Sequence, residues 1–152
     1  MKKLPTAFLW DIDGIICDSF QEEFIKQFAD GDFTMFERNI PNYPANRWAT
    51  AMVNTLSLEH RIIFVTARDE AYREETIKWL TRELDTKYLC SSDLYMRPEG
   101  DTRGDDIIKR ELFERFKSGF NILCAIDDRH DNCRLWQSLG IPALTNTITD
   151  KE

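Results

Sequence analysis

The sequence predicts an α/β fold, a three-layer Rossmann-like parallel sheet with helices on both faces, and three observations carry that expectation. Short apolar runs bounded by turn residues recur along the chain, as strands buried on both faces require. Helical patterns separate these runs, which is the alternation of parallel βαβ units. Polar clusters follow the first, second and fourth runs, and so fall on one edge of the sheet. In such sheets, ligands bind beyond the carboxyl ends of the strands.

The first predicted strand, residues 7–10, stops at Asp11. Residues 18–43 then interrupt the rhythm, with Phe20, Phe24, Ile25 and Phe28 at helical spacing before a Gly/Asp/Asn/Pro-rich stretch. That segment is too short for a second domain and reads as a small helical cap, or lid, inserted in one domain spanning 1–152. An extra helix on the sheet's flank fits the same spacing. The helix at 44–56 opens with proline in its first turn, where the missing N–H costs little. Residues 61–65 form the second strand, and 69–84 a helix with Ile77, Leu80 and Leu84 on one stripe. A strand at 94–96 precedes a helix at 105–117, whose stripe is Ile108, Leu112 and Phe116. Asn121–Ile126 is the fourth strand, and the helix at 129–139 stops at Gly140. A weaker fifth strand, 143–145, follows the Gly140-Ile141-Pro142 turn.

At 152 residues, 42% hydrophobic and 31% charged, the composition is globular rather than disordered. No apolar run approaches the ~20 residues that cross a bilayer. The apolar stretch after Met1-Lys2-Lys3 ends too soon for a signal-peptide core, so the expected location is the cytoplasm and no membrane partner is expected. Cys17, Cys90, Cys124 and Cys133 form no CxxC pair, and free thiols are expected. A net charge of −7 argues against a long nucleic-acid tract wrapped on the surface. One phosphorylated end held by a few local cations remains compatible with it.

Asp11-Ile12-Asp13-Gly14 leaves the first strand with two carboxylates on one side of an extended chain. Such a pair suits a hard cation such as Mg²⁺, and equally a nucleophile beside a general acid. Aspartate and glycine are also ordinary turn formers, so this motif alone carries little. Asp127 and Asp128 close the fourth strand; four carboxylates at one edge repel unless a cation lies among them. Asp128 alone would also fit a helix N-cap. Thr66 and Arg68, at the end of the second strand, offer a hydroxyl and a guanidinium to phosphate oxygens. Asp105 and Lys109 stand i, i+4 on a helix, which fits a solvated salt bridge or a buried cation supplied to the acids.

The order DxDG, Thr-x-Arg, Lys, Asp-Asp resembles the haloacid-dehalogenase phosphatases, and more closely the phage-type polynucleotide kinase 3′-phosphatase domain. The likeness is densest at Leu94-Tyr95-Met96-Arg97-Pro98-Glu99-Gly100-Asp101-Thr102-Arg103-Gly104-Asp105-Asp106-Ile107-Ile108-Lys109 and resumes at Ala125-Ile126-Asp127-Asp128-Arg129. It fades between Ile15 and Arg61: Ile15 replaces the usual threonine, and Asp18-Ser19-Phe20-Gln21-Glu22-Glu23 stands where the family usually carries a basic residue. The resemblance implies that Asp11 attacks phosphorus and that Asp13 serves as general acid, then base. It implies Mg²⁺ held by Asp11, Asp127 and the Asp13 backbone carbonyl, with Asp128 in support. Thr66, Lys109 and Arg68 would hold phosphate oxygens, and Asp105 would orient Lys109 or Arg68. The implied substrate is a 3′-phosphorylated nucleic-acid end, with a nucleoside monophosphate or another small phosphomonoester as the rival. A phosphorylatable receiver domain would carry its acid pair first and its lysine last, opposite to this chain. A catalytically dead Mg²⁺-binding relative fits poorly with retention of every acid and the lysine. No kinase P-loop occurs, and no feature of the sequence sets the oligomeric state.

Overall fold

Five short β-forming runs pair side by side in a computed structural model, which describes residues 3–19, 37–85 and 93–146. They are β1 (Thr6–Trp10), β2 (Arg61–Asp69), β3 (Leu94–Arg97), β4 (Asn121–Ile126) and β5 (Ala143–Leu144). All pair in parallel in the order β3-β2-β1-β4-β5, so β1 is central and its carboxyl end lies between those of β2 and β4. Among the described residues the crossovers contain the helices α1 (Arg47–Leu56), α2 (Arg73–Glu83), α3 (Asp105–Phe116) and α4 (His130–Ser138).

The two-residue strand period divides the core. Trp10, Ile62 and Phe64 face Ala49 and Val53 of α1 and Trp79 and Leu80 of α2. Leu9, Ile63 and Val65 face the opposite way, against Ile108 and Leu112 of α3 and Trp136 of α4. Each buried Leu, Ile or Phe contributes about 1.5–3 kcal/mol relative to exposure. The central strands are therefore the firmest platform available for a side chain that must not move. The expected three-layer architecture is present.

Several boundaries differ from the sequence expectation. β2 continues to Asp69, so Thr66 and Arg68 lie within its end rather than beyond it. A 3₁₀ turn at Glu70–Tyr72 then separates it from α2, with Asp69 accepting a hydrogen bond from the Ala71 amide. The apolar run ends at Val65, but pairing continues because the polar side chains that follow find buried partners. α1 starts at Arg47, and Pro44 lies before it, its carbonyl accepting from the Asp18 amide. Of the expected cap at 18–43, residues 20–36 lie outside the described residues, as does Cys90. Within its remainder, a 3₁₀ turn at Ile40–Asn42 leads to buried Tyr43, whose carbonyl accepts from Trp79 Nε1 at 2.8 Å. Cys17, Cys124 and Cys133 are free thiols. Among the described residues, no helix is long and apolar enough to cross a membrane.

Candidate active site

Every polar cluster expected at the sheet's carboxyl edge is found there. The chain leaves β1 at Asp11, whose amide still donates to the Ile126 carbonyl at 2.9 Å, and coils into a tight loop. In that loop the Cys17 amide bonds the Ile12 carbonyl at 2.8 Å, and Gly14 adopts φ 79°, a left-handed conformation that side chains disfavour. Two asparagines clamp it from outside. Asn46 Nδ2 donates to the Ile15 carbonyl at 2.8 Å, and Asn146 Nδ2 to the Gly14 carbonyl at 2.7 Å. The loop that aims Asp11 and Asp13 is thereby held from the start of α1 and from the end of β5.

Lys109 reaches inward from α3 and is buried to 1% exposure. Its Nζ lies 2.6 Å from Asp127 Oδ2 and 3.2 Å from Asp11 Oδ1. Burial alone would lower its pKa, but Asp11 and Asp127 outweigh burial and hold the ammonium above its ordinary range. Asp127 Oδ2 also accepts from Trp136 Nε1 at 3.4 Å, while its Oδ1 accepts from Asn132 Nδ2 at 3.0 Å and the Arg129 amide at 3.3 Å. Asp127, not Asp128, thus takes the hydrogen bonds at the start of α4, where Arg129 is the N-cap residue.

Asp11, Asp127 and Asp128 bring carboxylate oxygens within 4.8 Å of one another. Burial pushes the Asp11 carboxyl well above its usual range; Lys109 pulls it back, and the neighbouring acids push it up again. Asp128 is raised as well, first by burial. Three clustered carboxyl groups, two of them buried, share one ammonium, so ionising all three would leave uncompensated negative charge on hard oxygen donors. This arrangement fits a small divalent cation.

Asp13 points elsewhere. Its carboxylate is gripped bidentately by Arg68, Nε to Oδ2 at 2.9 Å and Nη2 to Oδ1 at 2.7 Å. Its side chain is therefore outside the acid cluster, and only its backbone carbonyl remains for the metal set that the resemblance implies. Arg68 is itself buried, donating to Thr76 Oγ1 at 3.3 Å and lying 5.7 Å from the centre of the Trp79 ring. Where the resemblance implies that Arg68 grips phosphate, its fork here holds the Asp13 carboxylate. Thr66, fully buried, accepts the Arg68 amide on its hydroxyl at 3.2 Å.

Asp105 is a second departure. It orients neither Lys109 nor Arg68, and no Asp105–Lys109 helix pair forms, because Lys109 is drawn to the buried acids. Asp105 instead bonds Arg97 Nη2 at 2.5 Å and Arg129 Nη1 at 2.9 Å. Arg97 in turn donates to the carbonyls of Ala67, Asp101 and Arg103, tying the loop before α3 to the end of β2. Sequence reasoning missed Arg97, Arg129, Asn46, Asn132, Asn146 and Trp136 as parts of the site. The position of Arg97 at the end of β3 and of Arg129 beside the acid pair was the available signal.

An acid at the end of the central strand, a Thr at the end of the next, a buried Lys and an acid pair on one edge of this sheet define a haloacid-dehalogenase-type phosphatase. The chain belongs to the family of polynucleotide kinase PNKP phosphatase domains, whose model matches residues 5–149. A putative bifunctional polynucleotide kinase/RNA ligase of Autographa californica nuclear polyhedrosis virus is 29% identical over 151 residues, 97% of this chain and 20% of that protein. In two structures of the Pnkp1/Rnl/Hen1 RNA repair complex, a chain superposes with TM-scores of 0.72 and 0.75 at 26% and 25% identity. These matches cover 93% and 99% of this chain but 42% and 49% of the other, so it spans at most about half the length of these relatives. A haloacid dehalogenase-like hydrolase of Streptococcus pneumoniae shares the fold at a TM-score of 0.62 and 10% identity.

Proposed function

We propose that this chain is a Mg²⁺-dependent phosphomonoesterase that removes 3′-phosphates from nucleic-acid ends through an aspartyl-phosphate on Asp11. The observation that carries the reading is the buried Lys109 ammonium shared by Asp11 and Asp127, with Asp13 held separately by Arg68. This separates a nucleophile beside fixed positive charge from an acid in its own guanidinium cradle. The nucleic-acid substrate is supported by the family and by the polynucleotide and RNA-repair descriptions of its relatives.

Asp11 attacks phosphorus in line, and the bond to the departing 3′-oxygen breaks as that oxygen takes a proton from Asp13, which carries one when an oxygen of its carboxyl is released from the Arg68 fork. Asp13 then takes a proton from water, which attacks the acyl-phosphate; phosphate leaves and the Asp11 carboxylate is restored. Lys109 and the Thr66 hydroxyl hold non-bridging oxygens, the positioning and charge stabilisation on which phosphoryl transfer depends. Asp11, Asp127 and the Asp13 carbonyl, with Asp128 in support, would hold Mg²⁺, whose positive charge would offset repulsion between nucleophile and phosphate.

Arg68 acts here through Asp13 rather than on phosphate. Arg68→Lys, which keeps the charge and loses the fork, lowers kcat about 10²-fold with little change in KM. Steady-state kinetics check this, and a rise confined to KM would return Arg68 to phosphate binding. The function itself is tested by Mg²⁺-dependent phosphate release from matched oligonucleotides bearing a 3′- or 5′-phosphate, alongside free nucleotides. Selective loss of the 3′-phosphate is expected; preference for free nucleotides would make the chain a nucleotidase.

A further inference from the structure

The catalytic edge needs more than a phosphate site if its substrate is a polymer. Lys109, Arg68, Arg97, Arg103 and Arg129 are each already bonded to a carboxylate. The start of α1 differs. Because β1 and β2 are parallel, α1 runs antiparallel to them, and its first turn lies at their carboxyl edge. That turn is tied to the catalytic loop: the Asn46 amide bonds the Ile16 carbonyl at 2.8 Å, beside the Asn46–Ile15 bond described above. The next two residues are Arg47 and Trp48, both exposed, Trp48 to 43%. Met52, one helical turn on, is also 43% exposed and extends the apolar surface. The Arg47 guanidinium is in no ion pair among the described residues, and the first turn carries no acid. A large aromatic face beside an unpaired cation is the surface on which a single strand lands, with a base stacking and a phosphate meeting the charge.

We propose that Trp48 and Arg47 bind the single strand leading into the active site, Trp48 stacking on a base and Arg47 meeting a backbone phosphate. This rests on the proposed 3′-end phosphatase and deepens it, since it assigns polymer preference to α1.

The test uses two 3′-phosphorylated oligonucleotides of equal length and charge, one of which lacks bases at its last positions. Wild-type kcat/KM should favour the complete strand by about tenfold or more, the scale of one stacked base. Trp48→Ala should collapse that ratio, and Trp48→Phe should retain most of it. Arg47→Ala should reduce the slope of log kcat/KM against log salt by about 0.7, one single-strand phosphate contact. The proposal is overturned if the wild type ignores the missing bases, or if Trp48→Ala keeps the ratio. Hydrolysis of small phosphomonoesters with neither oligonucleotide touched would overturn the underlying function as well, so the two failures are distinguishable.

Discussion

Asp11→Asn abolishes phosphate release, by on the order of 10⁴-fold or more, while making the metal-free protein more stable. The first effect follows from loss of the nucleophile, for which a neutral amide is no substitute. The second follows from the electrostatics: burial and three neighbouring acids raise Asp11 more than Lys109 lowers it. Removing one buried carboxylate leaves Lys109 its 2.6 Å partner Asp127 and relieves repulsion, a gain of about 1–2 kcal/mol, or roughly 3–8 °C. Melting curves in chelator, run beside the activity assay, check both. Unchanged activity would remove Asp11 as the nucleophile, and a lower melting temperature would mean that Asp11 is already offset without metal.

Lys109→Met has the opposite effect on stability. It strands Asp11 and Asp127 in the interior without their shared cation, which costs about 3–5 kcal/mol, and lowers turnover by about 10³-fold. The loss depends on pH with a definite sign. Asp11 has a folded pKa raised above the unfolded value of 3.8, and Lys109 is what pulls it down, so removing the lysine raises it further. A carboxyl raised on folding stabilises the fold below its unfolded pKa, and that contribution is lost as pH rises through the folded pKa. The variant should therefore be closer to wild type at pH 5 than at pH 8. Urea denaturation of both proteins in chelator at the two pH values measures this. A deficit independent of pH would mean that the lysine contributes packing rather than charge.

Local pattern in the sequence was enough to say which segments become strands and which edge gathers the acids. Apolar runs such as Asn121–Ile126 are buried whatever surrounds them, and the acids directly after them have to emerge at the carboxyl end. Asp11, Thr66, Asp127 and Asp128 could be placed at that edge for that reason, whereas Lys109, inside α3, was picked out by motif order alone. Partner choice was decided only by the tertiary structure. Arg68 reaches Asp13 across 55 residues and Lys109 reaches Asp127 across 18, pairings that no spacing on one strand or helix encodes. Asp105 and Lys109 show the consequence: neighbours on α3 by helical period, they part because burial rewards Lys109 for meeting two carboxylates and leaves Asp105 to Arg97 and Arg129. The extension of β2 through Arg68 has the same origin, since a buried guanidinium is tolerated only where Asp13, Thr76 and the Trp79 ring receive it.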